Sequence, residues 1–398
     1  MAEIYHRRQM AEELAERLIN PGMLDRPLQS GLFLSGMRRT GKSTFLKEDL
    51  IPALERQGAI VIYVDLWEND TPDKAGMILD AIRAKLKELQ GPVGTVMDVV
   101  KRVTKIGAKA SVFSIDMEVS KVGEKGGVTL PDAITKVVDK TKANVVLIVD
   151  EVQACLDTDA AQGLMRALKA TRDAVNIRPN TPGHFLFIGT GSHRSMVNEM
   201  TQRRKEAFFG AATREYQMLD EGFVTWVLKD KGVTIKPSLA TAVEAFSTLG
   251  YRPEPFMESL EILNKVVKRG EPADVAFRSI IWTKREALAD KEINELERLG
   301  PLAQAIFGSI AAEEDGAKGL YAAEQLASYS RTLGRDVRTE EVQSKIQELV
   351  QANLIMKRGY GTYEVTDPFV REVWVEREDR AAIEDGEPQW EKPKRPAT

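Results

Sequence analysis

The run Gly36-Met37-Arg38-Arg39-Thr40-Gly41-Lys42-Ser43 constrains the fold more than any other part of this 398-residue chain. It fits G-x-x-x-x-G-K-[ST] at every fixed position, and it joins an apolar strand-like segment, Gly31 to Ser35, to a helix-forming one, Ser43 to Arg56. Strand, glycine-rich loop and helix in that order turn a row of backbone N–H groups and the positive end of a helix toward one point. Such a point receives phosphate. The pattern predicts that Gly36, Met37, Arg38, Arg39, Thr40, Gly41, Lys42, Ser43 and Thr44 wrap a nucleoside triphosphate. Lys42 would bridge the β- and γ-phosphate oxygens and the Ser43 hydroxyl would ligate Mg²⁺.

Further strands are legible. Ala59 to Asp65 (AIVIYVD), Val145 to Val149 (VVLIV) and Phe185 to Ile188 (FLFI) are continuous apolar runs separated by helical periodicity. Runs of that kind belong to a parallel sheet covered on both faces, so the fold class is α/β. The chain exceeds what one hydrophobic core normally serves. A core over 1–219 is expected, with an inserted segment at about 91–127 whose alternation of Phe113, Ile115, Met117 and Val119 with polar residues is strand-like. From Asp220 helical spacing takes over to about Leu299. Gly300-Pro301 opens a third region that ends near Arg377, and 378–398, Pro-rich and charged, reads as a disordered tail.

The run at Val145 to Val149 ends in Asp150-Glu151. A parallel strand delivers side chains from its carboxyl end to the ligand crevice. Asp150 is therefore expected to serve the metal together with Ser43, and Glu151 to polarise the attacking water as general base. A protein that only held the nucleotide would not need Glu151. After Phe185 to Ile188 comes Gly189-Thr190-Gly191-Ser192. Thr190, or failing it Ser192, would sense the γ-phosphate, and a plain strand-ending turn is the alternative.

Composition narrows the setting. A formal net charge of -4 gives no global attraction to nucleic acid, so any such contact needs a local basic patch. Cys155 is the only cysteine, which excludes a disulfide framework and Cys-based zinc sites and suits the cytoplasm. His6, His184 and His193 have no metal-ligand spacing. Met1 to Asn20 carries arginines and glutamates where a signal peptide has an apolar core, and no apolar stretch is long enough to span a bilayer.

Taken together, GMRRTGKSTFL from Gly36, VVLIVDEVQ ending at Gln153 and FIGTGS ending at Ser192 resemble the archaeal-type, STAND-like P-loop ATPases of the AAA+ superclass, near the origin-recognition branch. IYHRRQMAEEL near the start is similar to that family's leading helix, and Tyr360 to Trp374 to the close of its winged-helix domain. The resemblance implies a P-loop NTPase core with ATP as nucleotide, a helical lid over 220–299 and a winged helix over 300–377. It also implies a homo-oligomer and a DNA or protein partner. Gly250-Tyr251-Arg252-Pro253 lies where relatives place a second sensor, so Arg252 is expected on the γ-phosphate or else in a simple helix start. Phe208-Phe209-Gly210 is followed by Ala211, whereas relatives often have Gly-Arg there. This leaves Arg203, Arg204 and Arg214 as substitutes for an arginine acting in trans.

Over Pro301 to Glu376 there are twelve acidic and eight basic residues, and Thr339 to Gln351 carries Glu340, Glu341 and Glu348 beside Lys345. Those acids repel DNA phosphates, while Lys357, Arg358, Arg331, Arg335 and Arg338 would attract them. The expected activity is a Mg-dependent ATPase acting as a regulatory or remodelling switch. A DNA-loaded initiator- or transposition-type oligomer and a non-hydrolytic scaffold are the alternatives.

Overall fold

A computed structural model of the protein describes residues 3–69, 71–90, 117–124, 126–156, 158–192, 194–267, 272–314, 316–359 and 361–385. The chain divides into two compact units, one of Met1–Gly36 and Gly41–Gln217, the other of Met37–Thr40 and Met218–Thr398.

The first unit is built on five strands, β1 (Leu32–Ser35), β2 (Ile60–Asp65), β3 (Val145–Asp150), β4 (Phe185–Gly191) and β5 (Ala212–Glu215), in the order β2-β3-β4-β1-β5. All neighbours run parallel. Alternation within each strand sends side chains to two apolar layers. Phe33, Ile62, Leu147, Val149 and Phe187 enter one layer, with helices α5 (Lys74–Gln90), α6 (Leu130–Thr141) and α7 (Asp159–Asn176) against them. Leu34, Val61, Val146, Ile148 and Ile188 enter the other, beneath α1 (Arg8–Ile19), α3 (Lys42–Phe45) and α4 (Ile51–Arg56). Two short pieces, α2 (Arg26–Gln29) and α8 (Arg194–Gln202), complete the α-helices among the described residues of this unit. Because both faces are covered, the interior strand β3 has no exposed position, which accounts for its uninterrupted apolar sequence.

Most of the expected insertion, with Phe113 to Ile115, lies outside the described residues. From Met117 onward the strand expectation is replaced by a 3-10 turn, Val119–Lys121. The cause is local anchoring. Arg83 on α5 donates to the Val122 carbonyl at 2.9 and 3.1 Å and Gln90 Nε2 to the Met117 carbonyl at 2.9 Å, while Val119 and Val122 are buried.

The second unit opens with four helices, α9 (Glu221–Lys229), α10 (Leu239–Thr248), α11 (Pro253–Val266) and α12 (Ala273–Arg298). Phe223, Phe246, Phe256 and Phe277 pack edge-on or tilted between them at centroid distances of 5.1 to 6.4 Å. Asp220 and Ser238 cap α9 and α10 by accepting from Gly222 N and Thr241 N. Then follow α13 (Pro301–Ala311), β6 (Ala317–Lys318), α14 (Ala323–Leu333), α15 (Thr339–Gln351), β7 (Ile355–Gly359), β8 (Thr362–Val365) and α16 (Pro368–Asp385). The strands form an antiparallel sheet in the order β6-β8-β7. Helix α16 runs on to Asp385, past the boundary expected at Arg377. Arg377 pairs with Glu286 and Asp290 of α12, and Arg380 with Glu286, which holds this helix where composition alone suggested a tail. Residues 386–398 lie outside the described residues. No described helix is long and apolar enough to cross a membrane.

Candidate active site

Parallel registry brings the carboxyl ends of the strands to one level. Asp65 pairs with Asp150 across β2 and β3, Val149 with Gly189 across β3 and β4, and Ser35 with Gly191 across β4 and β1. The phosphate-loop residues leave β1 at this level. Gly36 N–H donates to the Gly191 carbonyl at 3.1 Å, so the loop is tied to the tip of β4. Within the loop Thr40 Oγ1 donates to the Met37 carbonyl at 2.8 Å, and Arg39 and Gly41 have φ of 61° and 91°. Left-handed turns of this kind point successive N–H groups inward. At Gly41 a side chain would strain the backbone, which explains the second fixed glycine.

Lys42 is only 6% exposed, and its Nζ lies 2.6 Å from the Gly36 carbonyl, across the mouth of the loop it closes. From Lys42 the helix continues through a π turn, Leu46–Leu50, into α4. That turn buries Asp49, which accepts from His6 Nδ1 at 2.8 Å and Arg7 N at 2.9 Å. The leading segment is thereby pinned to the helix behind the loop. His6, with no assigned role in the sequence, serves this attachment.

Asp150 collects the site. It is 1% exposed, and Oδ2 accepts from Ser43 Oγ at 2.6 Å and Tyr63 Oη at 3.1 Å, while Oδ1 accepts from Thr190 Oγ1 and from Glu151 N at 3.2 Å. Among the described residues no cationic side chain pairs with it, although burying an ionised carboxylate without a counter-charge is costly. Hydroxyl donors relieve only part of that cost. A divalent cation would answer the rest, and the donor set of one hydroxyl and one carboxylate is of the hard oxygen type that Mg²⁺ takes. Tyr63, unremarked in the sequence, has its phenol pushed up by burial and by the Asp150 and Asp65 charges, so it remains a donor. Asp65 is raised by burial, with the Trp67 N–H bond pulling it down and Asp150 pushing it up again.

Glu151 has φ of 56°, a left-handed conformation rare outside glycine and asparagine. Its Oε2 accepts from Gln153 Nε2, from Ser192 Oγ at 2.8 Å and from Ser192 N at 3.2 Å. Lys42, Ser43, Asp150, Glu151 and Thr190 thus fall within one constellation of the first unit. Thr190 sits on Asp150 and Ser192 on Glu151. The spacing of two and forty-one residues from Glu151 to Gln153 and Ser192 carried no sequence signal.

Arg252 lies in the second unit. It is 4% exposed at the start of α11, hydrogen bonded to Asp367 and stacked 4.3 Å over Phe369 within the second unit. Of the arginines considered for a trans role, Arg203, just past the end of α8, pairs with Glu199 of that helix, and Arg214 has Arg17 and Asp25 as charged neighbours. Arg204 is exposed.

Residues 28–197 match the family described as AAA domain. Among solved structures the chain is similar to the Walker-type ATPase PABY2304 of Pyrococcus abyssi at 17% identity and a TM-score of 0.54, covering 94% of this chain and 96% of that one. It is also similar to the Aeropyrum pernix ORC2 protein in its ADP form, at 14% identity, a TM-score of 0.54 and 94% of both chains. No curated protein sequence matches it. The chain thus has the parallel-sheet P-loop NTPase, AAA+-like fold that these two structures share, and its match to the AAA domain family spans residues 28–197.

Proposed function

We propose that this chain binds Mg·ATP through Gly36 to Thr44 and hydrolyses it, using the cycle as a conformational switch in a regulatory or remodelling role. The observation that carries this is the meeting of Ser43, Thr190 and Tyr63 on a buried Asp150 without an ion-pair partner among the described residues, with Glu151 next to it and Lys42 closing the loop. ATP fits these residues. Lys42 and the loop N–H groups would hold the phosphates, Ser43 and Asp150 the Mg²⁺, whose charge would offset that developing on the γ-phosphoryl oxygens. Glu151 takes the proton of the attacking water. Thr190 fixes the Asp150 carboxylate. The ADP form of the ORC2 neighbour agrees with an adenine nucleotide.

In this reading the second unit holds a helical lid over 220–299 and a winged helix over 300–377, the latter supported by its order of one helix, short strand, two helices, hairpin and closing helix. A nucleotide-driven change in this unit needs contacts that differ between the ATP and ADP states.

A DNA-loading initiator is the second reading, and the C-terminal charges speak against it. Lys345 is paired with Glu348 at 2.6 Å and Arg335 with Glu341 at 2.8 Å, so two cations of the expected DNA-reading face are answered by acids of the same helix. A protein partner fits that surface better.

The test is calorimetric titration of ATP with and without Mg²⁺, alongside steady-state hydrolysis. Lys42→Ala should abolish uptake. Glu151→Gln should keep uptake and lower turnover about 10²-fold or more. Nucleotide uptake unaffected by Lys42→Ala would end the proposal. Stimulation by duplex DNA that weakens as salt rises would restore the initiator reading.

A further inference from the structure

We propose that Gln153 and Ser192 form a clamp that holds the Glu151 carboxylate by one oxygen and leaves the other to receive the proton of the attacking water. This rests on the reading of Glu151 as general base. It makes both residues positioning residues for hydrolysis.

All three donors fall on Oε2: the Gln153 carboxamide, the Ser192 hydroxyl at 2.8 Å and the Ser192 N–H at 3.2 Å. No described residue donates to Oε1. A carboxylate oxygen offers about two lone-pair directions, so three donors saturate Oε2 and arrest rotation of the group. Oε1 is then held in place without a described donor.

The clamp is itself fixed. Gln153 is 4% exposed on the turn Val152–Leu156, and its Nε2 also lies 3.2 Å from Ser192 Oγ, closing a ring of three side chains. Gly191 makes room for it. A Cβ at that position would stand 2.5 Å from Gln153 Oε1 and 2.6 Å from Val197 Cγ2, closer than real Cβ contacts come. The same Gly191 accepts the N–H of Gly36, so the clamp and the first residue of the phosphate loop share one peptide neighbourhood. Orientation of the base is thereby referred to the loop that would hold the triphosphate.

In the step served, a water oxygen forms a bond to the γ-phosphorus as the bond from that phosphorus to the β–γ bridging oxygen breaks. The water proton passes to Glu151 Oε1. ADP and inorganic phosphate result, and the proton is returned to solvent.

Full-length Ser192→Ala, Ser192→Thr, Gln153→Met and Glu151→Gln, with Glu151→Gln/Ser192→Ala as a double variant, test the clamp by steady-state ATP hydrolysis. Ser192→Ala and Gln153→Met should each lower kcat about tenfold or more with KM held within about threefold, because orientation of the base and not nucleotide binding is lost. Ser192→Thr, which restores a hydroxyl, should recover most of the rate. In the double variant the serine change should cost nothing beyond Glu151→Gln, since an amide at 151 leaves no base to orient.

Parent or increased kcat in Ser192→Ala, with Glu151→Gln impaired, overturns the clamp and leaves the base. Multiplicative losses in the double variant overturn it too. Parent turnover in Glu151→Gln removes the base reading beneath it. Ser192 is only partly buried, so Ser192→Ala carries the test even where Gln153→Met fails to fold.

Discussion

A carboxylate as deeply placed as Asp150, met by three hydroxyls and no cationic side chain among the described residues, burdens the resting fold. Stability and chemistry then pull in opposite directions. Asp150→Asn keeps the shape, and the hydroxyls of Ser43, Thr190 and Tyr63 can rotate to accept from the new amide. The variant should melt at the parent temperature or a few degrees above it without ligand, yet lose the gain conferred by Mg·ATP. Scanning fluorimetry with and without Mg·ATP reads both. A lower melting point with the ligand gain intact would make Asp150 a structural residue.

Asp65 gives a pH prediction at the same scale. Burial raises its carboxyl against the pull of the Trp67 N–H, and the Asp150 charge raises it further, so the fold favours the neutral acid. The sign follows. Below the unfolded value of about 3.9 both states are protonated and the fold loses nothing, whereas stability drains away as pH climbs from there through the folded value. Asp65→Asn should therefore match the parent in acid and exceed it near neutrality in urea denaturation. A constant difference across that range would refute the assignment.

At the scale of elements, the cap of α7 is a clean case. Thr158 is extended, and its Oγ1 accepts from Ala161 N at 3.2 Å at the start of an amphipathic helix that packs on β4 and α6. Thr158→Ala should cost about 1 kcal/mol in urea denaturation with an unchanged slope. An effect below a few tenths would mean that water replaces the cap. Elements like β1 and β3 were legible because burial on both faces writes itself as an apolar run. The short edge strand β5, Ala-Thr-Arg-Glu, has neighbours on one side only and half-buried side chains, and so no such run. β4 extends through Gly189-Thr190-Gly191, although glycine is depleted in strands, because pairing with Phe33, Leu34 and Ser35 of β1 holds them. The same limit governs the site. Gly36 to Ser43 and Asp150-Glu151 are contiguous and could be read directly. Tyr63, Gln153 and the contacts of Ser192 are created by strand registry, and the partner that engages Arg252, Asp367, lies more than a hundred residues along the chain.

For the whole molecule, the apolar burial is divided. The two layers of the first unit share one sheet, while Leu302, Phe307, Ile346, Leu349 and Trp374 belong to a cluster with no member in that sheet. Cooperative unfolding follows shared burial, so heating should release the chain in more than one step, with a calorimetric enthalpy larger than the van't Hoff value. Single core truncations assign the steps. Leu147→Ala, at the centre of β3, and Phe307→Ala, on α13, each remove about 2 to 5 kcal/mol and should lower different transitions. Ligand linkage supplies an independent check. Mg·ATP at a hundred times its Kd adds about 2.7 kcal/mol to whatever unfolds with the site, and the transition it raises should be the one that Leu147→Ala lowers. A single transition of unit enthalpy ratio, moved alike by both truncations and by nucleotide, would show that the two cores unfold as one.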